Sequence, residues 1–165
     1  MSVIETHRPL NVLFLCTGNS ARSQMAEALL NSMAHGRLRA YRAGSRPAAR
    51  VQPLAAELIA GLGVDPATLH PKGWDTFAGD GAPPLDIVIT VCDSAAGEAC
   101  PVWPGHPAIA HWGIPDPAAT PDDRDAFRRA WLSLCRRVEL LLALPLDKLD
   151  RLAREQHLRD IHQSS

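Results

Sequence analysis

The stretch Leu10-Asn11-Val12-Leu13-Phe14-Leu15-Cys16-Thr17-Gly18-Asn19-Ser20-Ala21-Arg22-Ser23 decides the fold. Val12, Leu13, Phe14 and Leu15 are contiguous and apolar, the pattern of a central strand whose two faces are both covered. Gly18-Asn19-Ser20 is a turn. Ala21 then opens a helix of about 12 to 15 residues, with Met25, Ala28, Leu29 and Met33 on one face. Strand, tight turn and helix are the first half of a βαβ unit.

Outward from this stretch the alternation continues. Residues 39–43 read as a short second strand, closed by Gly44. Val51, Leu54, Ala55, Leu58 and Ile59 recur at helical spacing until Gly61 and Gly63 end the helix. Residues 66–84 are loop-rich, with Trp74 and Phe77 anchoring a short turn. Ile87, Val88, Ile89 and Val91 concentrate β formers in a third strand over residues 86–91, which delivers Cys92 to the rim. Residues 93–120 are rich in glycine and proline and hold a short strand at 109–112; functional loops are expected there. A long helix over residues 122–144 carries Phe127, Ala130, Trp131, Leu134, Val138, Leu141 and Leu142 as one stripe, and Pro145 breaks it. Leu149, Leu152, Ala153 and Ile161 predict a final helix started by Asp147 or nearby. With no internal repeat, the chain is expected to be a single domain over residues 1–165, its core spanning 10–161. The predicted class is α/β: a small open parallel sheet with ligand sites beyond the carboxyl ends of its strands. Cys16 and Cys92 both follow such strands.

Bulk composition narrows the function classes. A chain of 165 residues can bury a core without disulfide or metal staples. Seventeen basic against eighteen acidic side chains give a net charge of −1, so neither nucleic acid nor another polyanion is an expected partner. The four cysteines, Cys16, Cys92, Cys100 and Cys135, do not make a disulfide scaffold, and no signal segment precedes them; a reducing, cytoplasmic location is expected. No apolar run approaches a membrane span.

The loop after the first strand has the makings of an anion site. Backbone amides released by a tight turn and a helix start converge on a tetrahedral oxyanion, and the helix adds positive potential at the same point. Asn19 tolerates left-handed geometry, and Arg22 offers a planar fork to two ligand oxygens. The same surroundings would stabilise a thiolate at Cys16, with Ser20 or Ser23 donating to it; a thiol pKa of about 8.5 would then fall by one to several units. The alternative for Cys16 is a buried strand-end thiol, with Arg22 a solvated helix residue. The loop lacks a nucleotide-binding ending and a dinucleotide fingerprint.

Three further positions carry chemistry with alternatives attached. Asp116 lies between Pro115 and Pro117, which restrict the backbone; it can cap a turn or protonate a departing oxygen. Cys92 and Cys100 flank a segment of small residues. They are either unrelated thiols or partners that a bend could bring together, since a disulfide needs Cα atoms within about 7 Å. Cys92, Cys100, His106 and His111 lack the compact pairing of a zinc site. Cys135 and Trp131 are expected in the core, and the pairs Arg128-Arg129 and Arg136-Arg137 are expected to solvate the outer face of the long helix.

Thr17 to Ala21 between Cys16 and Arg22, followed by Ser23, resembles the loop of the low-molecular-weight protein tyrosine phosphatase superfamily. Gln24-Met25-Ala26-Glu27-Ala28 and Cys100-Pro101-Val102-Trp103-Pro104 resemble its arsenate reductase branch in particular. Ala118 stands where the phosphatases often carry an aromatic residue. The resemblance extends over nearly the whole chain, with specific support in residues 10–30 and 86–118. It implies a four-stranded parallel sheet flanked by helices in a three-layer sandwich. It further implies that Thr17, Gly18, Asn19, Ser20, Ala21, Arg22 and Ser23 hold arsenate while Cys16 attacks it, Asp116 supplies the acid, and Cys92 and Cys100 complete a thiol relay. No tightly bound cofactor or metal is implied beyond a conceivable structural alkali cation. An external dithiol is required: thioredoxin, or alternatively glutaredoxin or a small thiol. Two other functions remain open, a low-molecular-weight phosphotyrosine or small phosphoester phosphatase and a nonenzymatic oxyanion or arsenite-binding regulator.

Overall fold

A computed structural model describes residues 9–18, 21–79, 81–92, 103–119 and 122–164. Strand β1 (Leu10–Cys16) is buried from Asn11 onward. It lies between β2 (Leu38–Gly44) and β3 (Ile87–Thr90), and β4 (Ala108–His111) completes the order β2-β1-β3-β4, with every neighbouring pair parallel. Strand order reverses direction at β1. The crevice beyond the carboxyl ends of β1 and β3 is therefore the switch point at which open α/β sheets bind ligands.

Period-two alternation sorts the β1 side chains into two clusters. Val12, Phe14 and Cys16 join Met25 and Leu30 of helix α1 (Arg22–Met33), Ala55 and Ile59 of α2 (Pro53–Ala60), Phe127, Leu134 and Val138 of α3 (Arg124–Leu142), and Leu158 and Ile161 of α4 (Arg151–Ser164). Leu13 and Leu15 face the other way. They pack with Ala43, Val88, Leu85, Trp103 and Phe77, the last from a 3-10 turn at Trp74–Phe77. The three layers are thus unequal among the described residues, with the long helices on one face and a thin cover on the other.

The element boundaries agree with the sequence reading to within about two residues, the usual fraying of ends. Asp123 caps α3 by accepting from the Ala126 amide at 3.1 Å. The last helix starts later than Asp147, which sits in a 3-10 turn at Leu146–Lys148. Asp150 is its cap, accepting from the Ala153 amide at 2.8 Å. Trp131 and Cys135 are half-buried at the edge of the α3 stripe instead of lying in the core. Arg137 departs from expectation altogether: only Arg136 of that pair is exposed, and Arg137 is buried.

Trp112, just past β4, is fully buried, tilts against Phe14 at a centroid distance of 6.2 Å and donates its indole N–H to the Leu158 carbonyl at 3.0 Å. It clamps α4 to the strand ends that carry the site. Trp112→Phe keeps an aromatic ring but loses this hydrogen bond and part of the buried ring volume, and is expected to lower the unfolding free energy by about 1–3 kcal/mol in urea titration. Leu132→Ala, on an exposed position of α3, should stay within about 0.5 kcal/mol of the native protein.

Candidate active site

Parallel register brings two thiols together. Leu15 pairs with Thr90, and the ladder runs on as the Val91 amide donates to the Leu15 carbonyl at 2.8 Å. The next step sets Cys92 beside Thr17. The Thr17 amide donates to Cys92 Sγ at 3.3 Å, and Thr17 Oγ1 lies 3.6 Å from the same sulfur. Cys16 and Cys92 are both buried and unoxidised.

The backbone after Cys16 is pinned from the β2 side. The Arg46 amide donates to the Thr17 carbonyl and the Ala48 amide to the Gly18 carbonyl, each at 2.9 Å. Ala21 precedes α1 and gives it no side-chain cap. Ser23, fully buried in that turn, places Oγ 3.0 Å from Cys16 Sγ, and its backbone amide also bonds the sulfur. Asn19, Ser20 and Cys100, named from the sequence, lie outside the described residues.

The sequence-based expectation of a depressed Cys16 pKa does not hold for the anion-free site. Burial is the dominant influence and pushes the thiol up; the Ser23 hydrogen bonds and the Arg22 charge pull down, while Cys92 adds to the rise. Sequence alone shows the positive groups but not the depth of the sulfur, of which 3% is exposed at the residue level.

Arg22 is held across the site. Its Nη1 donates to the Ile114 carbonyl at 2.8 Å, and Nη2 lies 3.8 Å from Asp116 Oδ1. Asp116 is about half exposed, and Oδ1 also accepts from the Ala118 amide at 2.9 Å. The structure thereby gathers Cys16, Arg22, Ser23, Cys92 and Asp116 around one rim, although they span a hundred positions of chain. His111 lies nearby on β4, with Nδ1 2.7 Å from Thr90 Oγ1 and its ring 5.7 Å from that of His162. Among the described residues no three His, Cys, Asp or Glu side chains converge on a metal position.

Two buried arginines support this rim, Arg42, to which the sequence reading gives no role, and Arg137, which it places in solvent. Arg42 alternates inward with Leu38 and Ala40 along β2. It pairs with Glu27 of α1 at 2.6 Å and donates to the carbonyls of Thr68 and His70 at 3.2 and 3.1 Å. Burial raises the Glu27 carboxyl, and Arg42 opposes that rise. Arg137 stands three residues after Leu134 on the apolar stripe of α3, and its Nη1 donates to the Gly113 carbonyl at 3.3 Å. Burial disfavours its charged form. Both positions were legible as inward from their period of two or of three and four.

The model of the low molecular weight phosphotyrosine protein phosphatase family matches residues 11–157, and the chain belongs to that family. Arsenate reductase of Bacillus subtilis (strain 168) is 35% identical over 119 residues, which cover 70% of this chain and 82% of that one. The crystal structure of arsenate reductase from Archaeoglobus fulgidus superimposes with a TM-score of 0.64 at 33% identity, covering 81% of this chain and 99% of the other. A thioredoxin-dependent arsenate reductase of Corynebacterium glutamicum gives a TM-score of 0.59 at 27% identity, over 81% of this chain and 60% of that one. Within the family, these likenesses place the chain in the arsenate reductase branch.

A raised pKa means that the Cys16 thiolate appears only as pH climbs. Alkylation of Cys16 by iodoacetamide, followed by peptide mass spectrometry, is expected to have its midpoint above that of a free cysteine peptide labelled in parallel. Ser23→Ala should move the midpoint further up and slow labelling at neutral pH several-fold. A native midpoint below that of the peptide would contradict this balance of burial over charge.

Proposed function

We propose that this protein reduces arsenate to arsenite through a relay of Cys16, Cys92 and Cys100. The observation that carries the reading is the placement of Cys92 Sγ against the Thr17 amide, one residue from Cys16. Ester hydrolysis has no use for a second buried thiol there. The arsenate reductases found among its relatives support the same substrate.

Residues 17–23, with the Arg22 fork, are proposed to bind arsenate. Cys16 loses its proton with the help of Ser23 and Arg22 and attacks arsenic, and Asp116 protonates the departing oxygen, which leaves as water. Cys92, as thiolate, then attacks Cys16 Sγ. The electron pair of the S–As bond moves to arsenic, which leaves as arsenite, and the Cys16–Cys92 disulfide holds the two-electron oxidation. Cys100 attacks Cys92 Sγ, freeing Cys16 and leaving a Cys92–Cys100 disulfide for an external dithiol. Likeness to the thioredoxin-dependent enzyme of Corynebacterium glutamicum favours thioredoxin in that last step. No helix of the described residues is long and apolar enough to cross a membrane.

The test is a single turnover without external reductant. Reduced native protein should release one equivalent of arsenite with the loss of two thiols, and disulfide mapping should find Cys92 joined to Cys100. Cys92→Ser should abolish arsenite release, whereas Cys100→Ser should still complete one turnover and trap Cys16 with Cys92. Aryl-phosphate hydrolysis that survives Cys92→Ser, with no arsenite from the native protein, would establish a phosphatase instead. Parallel multiple-turnover assays with thioredoxin, glutaredoxin or a small thiol identify the reductant.

A further inference from the structure

The segment bearing Asp116 is held both by packing, at Ile114 and Pro117, and by a set of hydrogen-bond tethers. Its start is fixed where the Trp112 amide meets the Thr90 carbonyl at 2.7 Å and the Ile114 amide meets the Val91 carbonyl at 3.1 Å. Beyond Ile114 the α3 side of the loop is open: a cavity of about 440 Å3 is lined by Ile114, Pro115, Asp116, Ala126 and Arg129. Pro115 and Asp116 are exposed at the mouth of that space, between buried Ile114 before them and buried Pro117 after them, where the Ala119 amide meets the Asp116 carbonyl at 3.3 Å. Two guanidinium groups take consecutive carbonyls there, Arg137 that of Gly113 and Arg22 that of Ile114.

Their assignments differ. Arg22 belongs to the anion loop and is proposed to hold arsenate. Arg137 comes from the middle of α3, whose stripe also seats Leu134, Val138 and Leu141, and 5% of it is exposed. Burial disfavours its charge, and the Gly113 carbonyl is one of the groups that receives it there.

We infer that Arg137 is a positioning residue for the reduction: by holding the Gly113 carbonyl from α3 it helps set where the Asp116 carboxylate stands beside Arg22. The inference rests on Asp116 as the proton donor of the proposed reaction. Small errors in placing a catalytic group carry large rate penalties, so the tether should act on the rate of the first chemical step and leave arsenate affinity alone.

The experiment is a double-mutant cycle read in single turnover, with arsenite release followed against arsenate concentration. Arg137→Met is expected to lower the maximal rate about tenfold with half-saturation within twofold of native. Arg137→Lys, which keeps a donor on a shorter and less rigid arm, should recover part of the rate and serves also if the Met variant folds poorly. In an Asp116→Asn background the Arg137 substitutions should have no further effect, because the group they position is gone. A rate penalty of equal size in that background, or a native rate in Arg137→Met, overturns the positioning role while leaving Asp116 as the acid. If Asp116→Asn itself retains the native rate, the acid assignment fails and the positioning role falls with it.

Discussion

The last rung of the β1–β3 ladder, from the Val91 amide to the Leu15 carbonyl, governs the geometry of the whole site. Parallel pairing admits one register once the inward residues of β1 and β3 share a core, because a slip of one residue would turn Val12, Phe14, Ile87 and Ile89 out of it. That register sets Cys92 beside Thr17 and projects both strand ends into the same crevice. Strand β4 repeats the device, and its pairing with β3 brings the loop of Asp116 to the crevice from the far side. A fold that serves anion binding and thiol exchange together needs these strands adjacent and parallel, and the order β2-β1-β3-β4 supplies that arrangement.

Within the crevice burial and charge oppose each other. The apolar environment that makes Cys16 part of the core also resists its ionisation, and the Ser23 hydroxyl and amide stand against that resistance at close range. Arg22 contributes less than Ser23, and its guanidinium is engaged by the Ile114 carbonyl and approached by Asp116. The same contacts join the anion loop to the loop of Asp116. Arg42 and Arg137, buried on either side, lock β2 to α1 and α3 to the segment after β4. The site therefore stands among fixed charges taken out of water, each tied to backbone carbonyls or a carboxylate that limits its freedom.

Legibility in the sequence followed the range of the interaction. The contiguous apolar run Val12 to Leu15, the glycines after Ile59 and the stripe on α3 are local patterns, and each became the expected element. Cys16, Arg22 and Ser23 were readable because the loop that holds them is continuous in sequence. Asp116 and Cys92 stood out less, as an aspartate between prolines and a thiol at a strand end; resemblance to a known family supplied what local chemistry left open. Arg137 was misjudged because it follows Arg136. A pair of adjacent arginines looks solvated until helical spacing assigns one to the stripe with Ala130 and Leu134.

By itself the sequence determined the alternation of strands and helices and the chemical types available to the loop after β1, all properties set within a few turns of chain. Tertiary structure decided what those groups experience. Burial of Cys16 reversed the expected direction of its pKa, strand register placed Cys92 beside Thr17, and the packing of α3 turned an apparently solvated arginine into a tether for the loop of Asp116. These are effects of desolvation and of contacts across long stretches of chain, and they exist only once the sheet and its helices have closed around the same core.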